Sequence, residues 1–369
     1  MSSASGKAPQ QRLRGLDVLR GVAALAVCLF HYTDSFPRET GIALPIAFHL
    51  GDAIHGVDMF LVISGFVIYM SIEKTRDAYD FLTARISRLY PAFIACLLVT
   101  TVVVCFIGGV PLLKPSLGKF LANVSMVPYV FGQDVVDGVY WTLAYEAFFY
   151  IFAATVIRRV GLDRVEWVCI PWFAIALMMR LEPVFIWHSP YLLLMARLVT
   201  SGAYAGLFIL GIMLYRICAG QAKPLTYVML VVCLLNTLVG PPINVKPLSS
   251  VVYCAMMCGA AFLVWLGGTN RIPVKPFWAL VFLGDISYSF YLLHDDIGFV
   301  MMKWLLQWGI NAYVTLVLTF AAAVALSYAM NRLVERPGQR ALRAMFKRWR
   351  ERCAAQPWRP AQPKPLAGD

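Results

Sequence analysis

Charged side chains are scarce in this chain, and no long hydrophilic stretch separates its apolar runs. Asp, Glu, Lys and Arg make up 14% of the 369 residues, whereas hydrophobic residue types make up 60%. A single soluble core cannot bury that much apolar surface. The composition therefore argues against a soluble enzyme. It predicts an all-α, polytopic integral membrane protein without a separate hydrophilic domain.

Other absences narrow the function further. The nine cysteines show no metal-ligand spacing, so no metal is expected. The sequence has no convincing internal repeat, whereas transporters commonly consist of repeated halves with matched broken helices. The first apolar run lacks a small-residue cleavage site, so we expect it to remain in the mature protein.

Apolar runs near the length that crosses a bilayer, about 20 residues, recur along the chain. They predict about ten transmembrane helices with both termini in the cytoplasm. A shorter apolar segment, 119–132, is expected to lie at the interface or to re-enter the membrane. The predicted spans are centred near 16–36, 53–72, 89–109, 138–158, 166–181, 196–216, 224–240, 249–267, 284–306 and 311–333.

The distribution of positive charge gives these spans a direction. Under this topology 24 of the 32 Lys and Arg residues lie on the side of the N-terminus. This excess follows the positive-inside rule, so the net charge of +12 reflects topology and lipid headgroups rather than nucleic acid. We expect a cytoplasmic segment 1–14, a membrane domain 15–337 and a basic, Pro-rich, disordered tail 338–369. Pro337 is expected to end the last helix.

Arg20 and His31 lie eleven residues apart in the first span. Eleven residues make about three helical turns, so both side chains share one face, ~16 Å apart along the axis. Alone, Arg20 fits a snorkelling anchor and His31 an interfacial residue. Together they predict a functional pair, because polar side chains within a membrane usually face a polar cavity. Arg20 is expected near the cytoplasmic surface and His31 near the outer one.

Two acidic residues are expected on the outer half of the membrane with His31. Asp58 begins the second span, either as a helix cap or as a carboxylate that orients an imidazole such as His31. Glu146 falls within the fourth span at the depth of His31. A carboxylate and an imidazole at one depth meet a requirement of general acid and base catalysis.

Two arginines follow the second span in the segment ARISRLYP. Arg85 and Arg88 are three residues apart and share a face if the segment is helical. Ordinary positive-inside charge accounts for them. Alternatively, with Arg20 at the same depth, they form a cluster suited to a phosphate or pyrophosphate.

Aromatic and histidine residues mark two more spans. Tyr288, Tyr291 and His294 recur every three residues in the ninth span, as expected for a polar stripe along a channel or for a packed aromatic helix face. Trp141 opens the fourth span, where an aromatic belt at the membrane surface also accounts for it.

Taken in order, several segments resemble the acyltransferase-3 family of bacterial membrane O-acyltransferases. The segments are RGLDVLRGVAALAVCLFHY, GVDMFLVISGF, ARISRLYP, VYWTLAYEAFFY, LGDISYSFYLLH and VERP. Arg20 and His31 meet the family's Arg-to-His spacing, and Arg85 with Arg88 meets its Arg-x-x-Arg pair. One departure is that Asp295-Asp296 follows His294, where relatives often have an uncharged residue and Pro. No appended esterase-like domain is expected.

The resemblance implies an enzyme of the bacterial inner membrane. It would move an acyl group, most often acetyl, from cytoplasmic acyl-CoA to a sugar hydroxyl of an exopolysaccharide, a cell-surface glycan or its lipid-linked precursor. His31 is expected to be the general base or the acyl carrier, oriented by Glu146 or Asp58. The donor is assigned to Arg20, Arg85, Arg88 and Tyr288, and the acceptor to Trp141, Tyr291 and His294. A transporter of a glycan precursor or a small acid is the alternative.

Overall fold

The computed structural model describes residues 13–108, 114–181, 190–241 and 248–355, and within these ranges all regular secondary structure is helical. The all-α prediction is confirmed for this part of the chain. In chain order the main helices are α1 (Arg14–Thr40), α2 (Gly51–Lys74), α3 (Ala78–Ile107), α4 (Leu117–Asn123), α5 (Gly138–Val160), α6 (Val165–Leu181), α7 (Pro190–Val199), α8 (Ala205–Cys218), α9 (Pro224–Val239), α10 (Ser250–Gly268), α11 (Lys275–Leu293), α12 (Asp296–Gln307) and α13 (Ala312–Ala354).

Seven of the described helices are long and apolar enough to cross a membrane, namely α1, α2, α3, α5, α10, α11 and α13. Each corresponds to one predicted span, so the chain is a multi-pass membrane protein. The other three predicted spans correspond to shorter helices, α6, the pair α7 and α8, and α9. Segment 119–132 holds the short helix α4 and a following turn, too short to cross a bilayer.

The predicted span 196–216 is interrupted. Ser201 and Gly202 adopt backbone φ angles of 56° and 40°, in the left-handed region that ends helices. The helical segment therefore splits into α7 and α8 at these two residues. The continuous apolar composition of the segment concealed this break.

The predicted span 284–306 is also wrong in its bounds. Helix α11 begins nine residues earlier, at Lys275, and ends at Leu293. Asp295 has φ −77° and ψ −90°, which does not continue a helix, and α12 starts at the next residue. An acidic residue is favourable in the first turn of a helix, which explains a new start at Asp296. His294 consequently lies at the end of a helix.

Helix α13 continues past Pro337, which was expected to end it. A wide π-type turn at Asn331–Glu335 comes just before this proline. Such a turn changes the local hydrogen-bond pattern and is a known way for a helix to accommodate an irregularity. The prediction of a disordered tail is therefore wrong for residues 338–355, while 356–369 lie outside the described residues.

Helices α1 and α11 approach each other closely through glycine. A Cβ built on Gly21 would collide with the carbonyl oxygen of Leu280, and one on Gly284 would collide with that of Asp17. Small residues allow helix backbones in a membrane to come this near. This contact brings the polar side chains of α1 next to those of α11.

Candidate functional site

A cavity of about 110 Å³ lies among α1, α2, α3, α5 and α11. Charged and polar side chains along an otherwise apolar cavity indicate a binding site for a polar group. Six residues predicted for the site line this cavity: Arg20, Arg85, Arg88, Glu146, Tyr288 and Tyr291.

Three arginines from α1 and α3 meet at one end of the cavity, called here the arginine end. Helix α3 begins eleven residues before the predicted span 89–109, so Arg85 and Arg88 lie on a continuous helix that also enters the core. The Arg85 guanidinium lies 5.6 Å from the ring centre of Phe81 and 5.8 Å from that of Tyr150. Its Nε is buried and has no hydrogen-bond partner in the described part of the chain. The arginine end can therefore still bind an anion.

Glu146 belongs to the arginine end of the cavity. Its Oε1 accepts a hydrogen bond from Ser64 Oγ at 3.1 Å, and its carboxylate interacts electrostatically with Arg20 and Arg85. The structure does not place Glu146 beside His31, as the sequence analysis expected. Equal depth on two helices does not bring two side chains together, because the rotation of each helix decides which neighbour a side chain faces.

A second, open cavity of about 770 Å³, called here the vestibule, adjoins the arginine end. Arg20 and Arg88 line both cavities, so the two spaces meet at these side chains. Helix α13 adds three further arginines to the vestibule, Arg332, Arg336 and Arg340. The sequence analysis missed these three, because it counted them with the topological charge of the last span and tail.

His31 and His294 form a hydrogen-bonded pair. His294 Nδ1 lies 3.1 Å and 3.0 Å from the carbonyl oxygens of Phe290 and Tyr291, which only accept hydrogen bonds. His294 therefore carries its hydrogen on Nδ1, and its Nε2 accepts from His31 Nδ1 at 2.8 Å. This leaves the lone pair of His31 Nε2 available as a base. One imidazole thus fixes the tautomer and the orientation of the other.

Tyr291 connects the cavity lining to the histidine pair, and Phe60 packs against it. Both line the cavity, and their ring centres are 6.0 Å apart. The Tyr291 ring is also 5.9 Å from that of His294, and its hydroxyl donates to the Val139 carbonyl at 2.9 Å. His31 is buried and is not among the residues that line the cavity. These two aromatic side chains of the cavity lining are called here the wall.

Asp58 orients an imidazole, but the imidazole is that of His55. The Asp58 carboxylate lies 2.8 Å from His55 Nδ1 and accepts a hydrogen bond from the Tyr253 hydroxyl at 3.1 Å. All three side chains are buried. The sequence carried a signal for this pair, since His55 precedes Asp58 by three residues and shares its helix face.

Trp141 packs in an aromatic cluster and is not among the residues that line either cavity. Its ring centre is 5.1 Å from that of Tyr204 and 5.7 Å from that of Tyr145. A substrate that contacts Trp141, as the sequence analysis expects, would therefore lie outside the two cavities.

One protein family, described as an acyltransferase domain (Acyl_transf_3), matches residues 13–332. This range includes the arginine end of the cavity, the wall and the histidine pair. No curated protein and no solved structure matches the chain.

Proposed function

Because this chain belongs to the acyltransferase-3 family and is a multi-pass membrane acyltransferase, we propose that it transfers an acetyl group from acyl-CoA to a sugar hydroxyl. The proposed acceptor is an exopolysaccharide, a cell-surface glycan or its lipid-linked precursor, and the proposed location is the bacterial inner membrane. One observation carries the proposal. An arginine-lined cavity extends along α2 to Tyr291, whose ring lies 5.9 Å from that of His294, in a histidine pair with a free basic nitrogen.

The proposed topology has about ten spans with both termini in the cytoplasm. The excess of Lys and Arg on one side of the spans supports it. In this orientation the vestibule and the arginine end face the cytoplasm, where acyl-CoA is made. The histidine pair then lies toward the outer face, where surface glycans are modified.

Acyl-CoA enters through the vestibule in this proposal. Arginine binds phosphate through two parallel N–H groups, and five arginines line the vestibule: Arg20, Arg88, Arg332, Arg336 and Arg340. With its phosphates held there, the donor extends its pantetheine arm past Tyr288. The rise from Arg20 to His31, ~16 Å, is comparable to the length of that arm.

His31 is the proposed general base. Its Nε2 takes the proton of the acceptor hydroxyl while the hydroxyl oxygen attacks the thioester carbonyl carbon. The carbon–sulfur bond breaks, and the leaving thiolate takes the proton back from His31, so the overall transfer needs no other reactant. As an alternative, Nε2 carries the acyl group covalently before the acceptor takes it.

In this mechanism His294 orients the His31 imidazole. Glu146 and Asp58 do not, because they bond other side chains. The wall of Tyr291 and Phe60 must open for the thioester to meet His31. Tyr291 and His294 are then the proposed contacts of the acceptor near the reacting carbon, and Trp141 is a proposed contact further out.

The test is acyl transfer in membranes that contain the full-length protein. With radiolabelled acetyl-CoA, we expect label in the glycan fraction, and His31→Gln should lower the labelling rate by about 10²–10⁴-fold at equal abundance. The matched control is His49→Gln, because His49 is an exposed loop residue whose ring bonds the Thr33 carbonyl. Undiminished labelling by His31→Gln would refute the role of His31. Absence of wild-type labelling with acetyl-CoA would refute the acetyl donor.

A further inference from the structure

Three buried aspartates meet close to His31. Asp137 precedes α5, whereas Asp295 and Asp296 lie at the junction of α11 and α12. One carboxylate oxygen of each lies within 4.8 Å of the other two. Their exposed fractions are 0%, 2% and 2%, so the cluster is closed to bulk water.

Each of these side chains has a buried oxygen without a hydrogen-bond partner among the described residues, namely Asp137 Oδ2, Asp295 Oδ1 and Asp296 Oδ2. The helix starts account for part of the hydrogen bonding of the cluster, since the Asp137 carboxylate also accepts from the Asp296 amide at the start of α12, but not for these three oxygens. Asp137 caps the start of α5 through its other oxygen, Oδ1, which accepts from the Val139 amide at 3.1 Å. The Asp295 side chain makes no capping hydrogen bond to α12, although it stands at the cap position.

Neighbouring charges do not neutralise the cluster. Glu39 adds to the negative charge felt by Asp295 and Asp296, while Arg38 and Lys119 offset part of it without bonding the three free oxygens. His31 Nδ1 is 3.7 Å from Asp295 Oδ1, but its hydrogen points to His294. Three carboxylates this close, away from water, need a bound cation or added protons.

The backbone at Gly138 leaves room for the Asp295 side chain to approach the start of α5. A Cβ built on Gly138 would lie 2.9 Å from Asp295 Oδ2. Glycine at this position therefore allows the Asp295 carboxylate to lie against the start of α5, beside Asp137.

We propose that Asp137, Asp295 and Asp296 bind one hard divalent cation, Ca²⁺ or Mg²⁺. Carboxylate oxygens are the ligands these ions prefer, and water or carbonyl oxygens complete the coordination. The ion ties the start of α5 to the junction of α11 and α12, next to the histidine pair. Its role is positioning, since it holds Asp295 and His294 in place relative to His31. The proposal replaces the expectation of no metal and does not depend on which acyl acceptor is used.

The test measures cation binding to the purified full-length protein after chelator treatment. We expect calorimetric titration with CaCl₂, and separately with MgCl₂, to show one saturable site for at least one ion, together with a higher melting temperature. Asp137→Asn and Asp296→Asn should each weaken binding by about 10–100-fold or more, since even outer-shell changes at metal sites have effects of that size.

The matched control is Asp134→Asn, which removes a carboxylate from the same loop outside the cluster and should leave binding unchanged. The Asp296→Asn variant leaves the Asp137 cap in place, so the test holds even if Asp137→Asn fails to fold. Two results would overturn the proposal. One is a wild-type protein that binds neither ion at millimolar concentration and melts at the same temperature with and without them; the other is wild-type binding by a folded Asp296→Asn.

Discussion

His31 donates from Nδ1 to His294 Nε2 across 2.8 Å, and His294 in turn donates to the backbone of its own helix. The direction of these hydrogen bonds follows from the carbonyl acceptors at the far end, which leave His294 only one possible tautomer. Because His31 donates from Nδ1, the lone pair of its Nε2 is free to accept a proton. The two residues come from helices that glycine packing holds close together. Besides its proposed contact with the acceptor, His294 therefore positions His31.

Replacing His294 should therefore slow transfer without weakening donor binding. In His294→Ala, the His31 imidazole loses the partner that fixes its tautomer, and we expect kcat to fall by about 10²-fold, at the lower end of the range for proton transfer. The KM for acyl-CoA should not change, because His294 does not line the donor cavity.

The conservative variant His294→Gln tests whether a hydrogen-bond acceptor at this position is enough to orient His31. A glutamine side chain offers an amide oxygen near the position of Nε2, so it should restore part of the lost kcat. Steady-state kinetics of both variants provide the check. A rise in KM for acyl-CoA at unchanged kcat would assign His294 to donor binding instead.

Removal of the arginines at the arginine end of the cavity should weaken binding of acyl-CoA. Hydrogen bonds to charged groups contribute about 1.5–3 kcal/mol each, so Arg88→Ala should lower the affinity for CoA by roughly 10–100-fold, and Arg85→Ala with Arg88→Ala by more. The measurement is titration of the purified protein with CoA. Arg159→Ala is the matched control, since Arg159 is exposed at the end of α5 and lines neither cavity. Equal affinity in all variants would leave Arg85 and Arg88 with a topological role only.

Asp58 should matter for stability rather than for catalysis. Asp58→Ala leaves the His55 imidazole and the Tyr253 hydroxyl buried without their shared acceptor, and each unsatisfied group costs about 1–3 kcal/mol. We expect a lower melting temperature and lower abundance, with acyl transfer per folded molecule close to wild type. Full stability combined with loss of transfer would make Asp58 part of the reaction.

The sequence predicts which side chains face the interior of the protein more reliably than it predicts which side chains contact each other. Helical periodicity is local, so the common face of Arg20 and His31 and the Arg85–Arg88 pair could be read directly, and three of these four line the cavity. Partner choice depends on how each helix is rotated and what packs beside it. Depth alone therefore assigned Glu146 to His31, whereas Ser64 and the arginines are its neighbours.

The average hydropathy of a segment also does not show where a helix breaks within an apolar run. The run through 284–306 stays apolar enough on average despite Asp295-Asp296, so these residues looked like a local departure within one span. They mark instead the junction of two helices, and the structure brings both to Asp137, which is more than 150 residues away in the chain. A contact at that separation leaves no periodic signal in the sequence.

The far end of α13 provides a prediction on pH and salt. Arg350 pairs with Asp77 and Asp80 at the start of α3, and its hydrogen bond holds the pKa of Asp77 below the ordinary value of 3.8. A carboxyl group with a lowered pKa in the folded state stabilises that state above its unfolded pKa, and this contribution is lost as pH falls through the folded pKa. The end of α13 should therefore stay docked at neutral pH and loosen only below about pH 4.

Asp77→Asn reproduces the protonated state at neutral pH and provides the measurement. We expect limited trypsin digestion at pH 7.5 to cut the Arg-rich end of α13 about a few-fold faster in Asp77→Asn, a small effect because exposed ion pairs are weak. High salt should narrow the difference, since it screens the same pair in the wild type. Asp163→Asn is the control, because Asp163 is an exposed carboxylate that pairs with the adjacent Arg164. Equal cleavage of Asp77→Asn and wild type at low salt would show that other contacts of α13 with α3, such as the Trp349 ring against Tyr79, hold the helix in place.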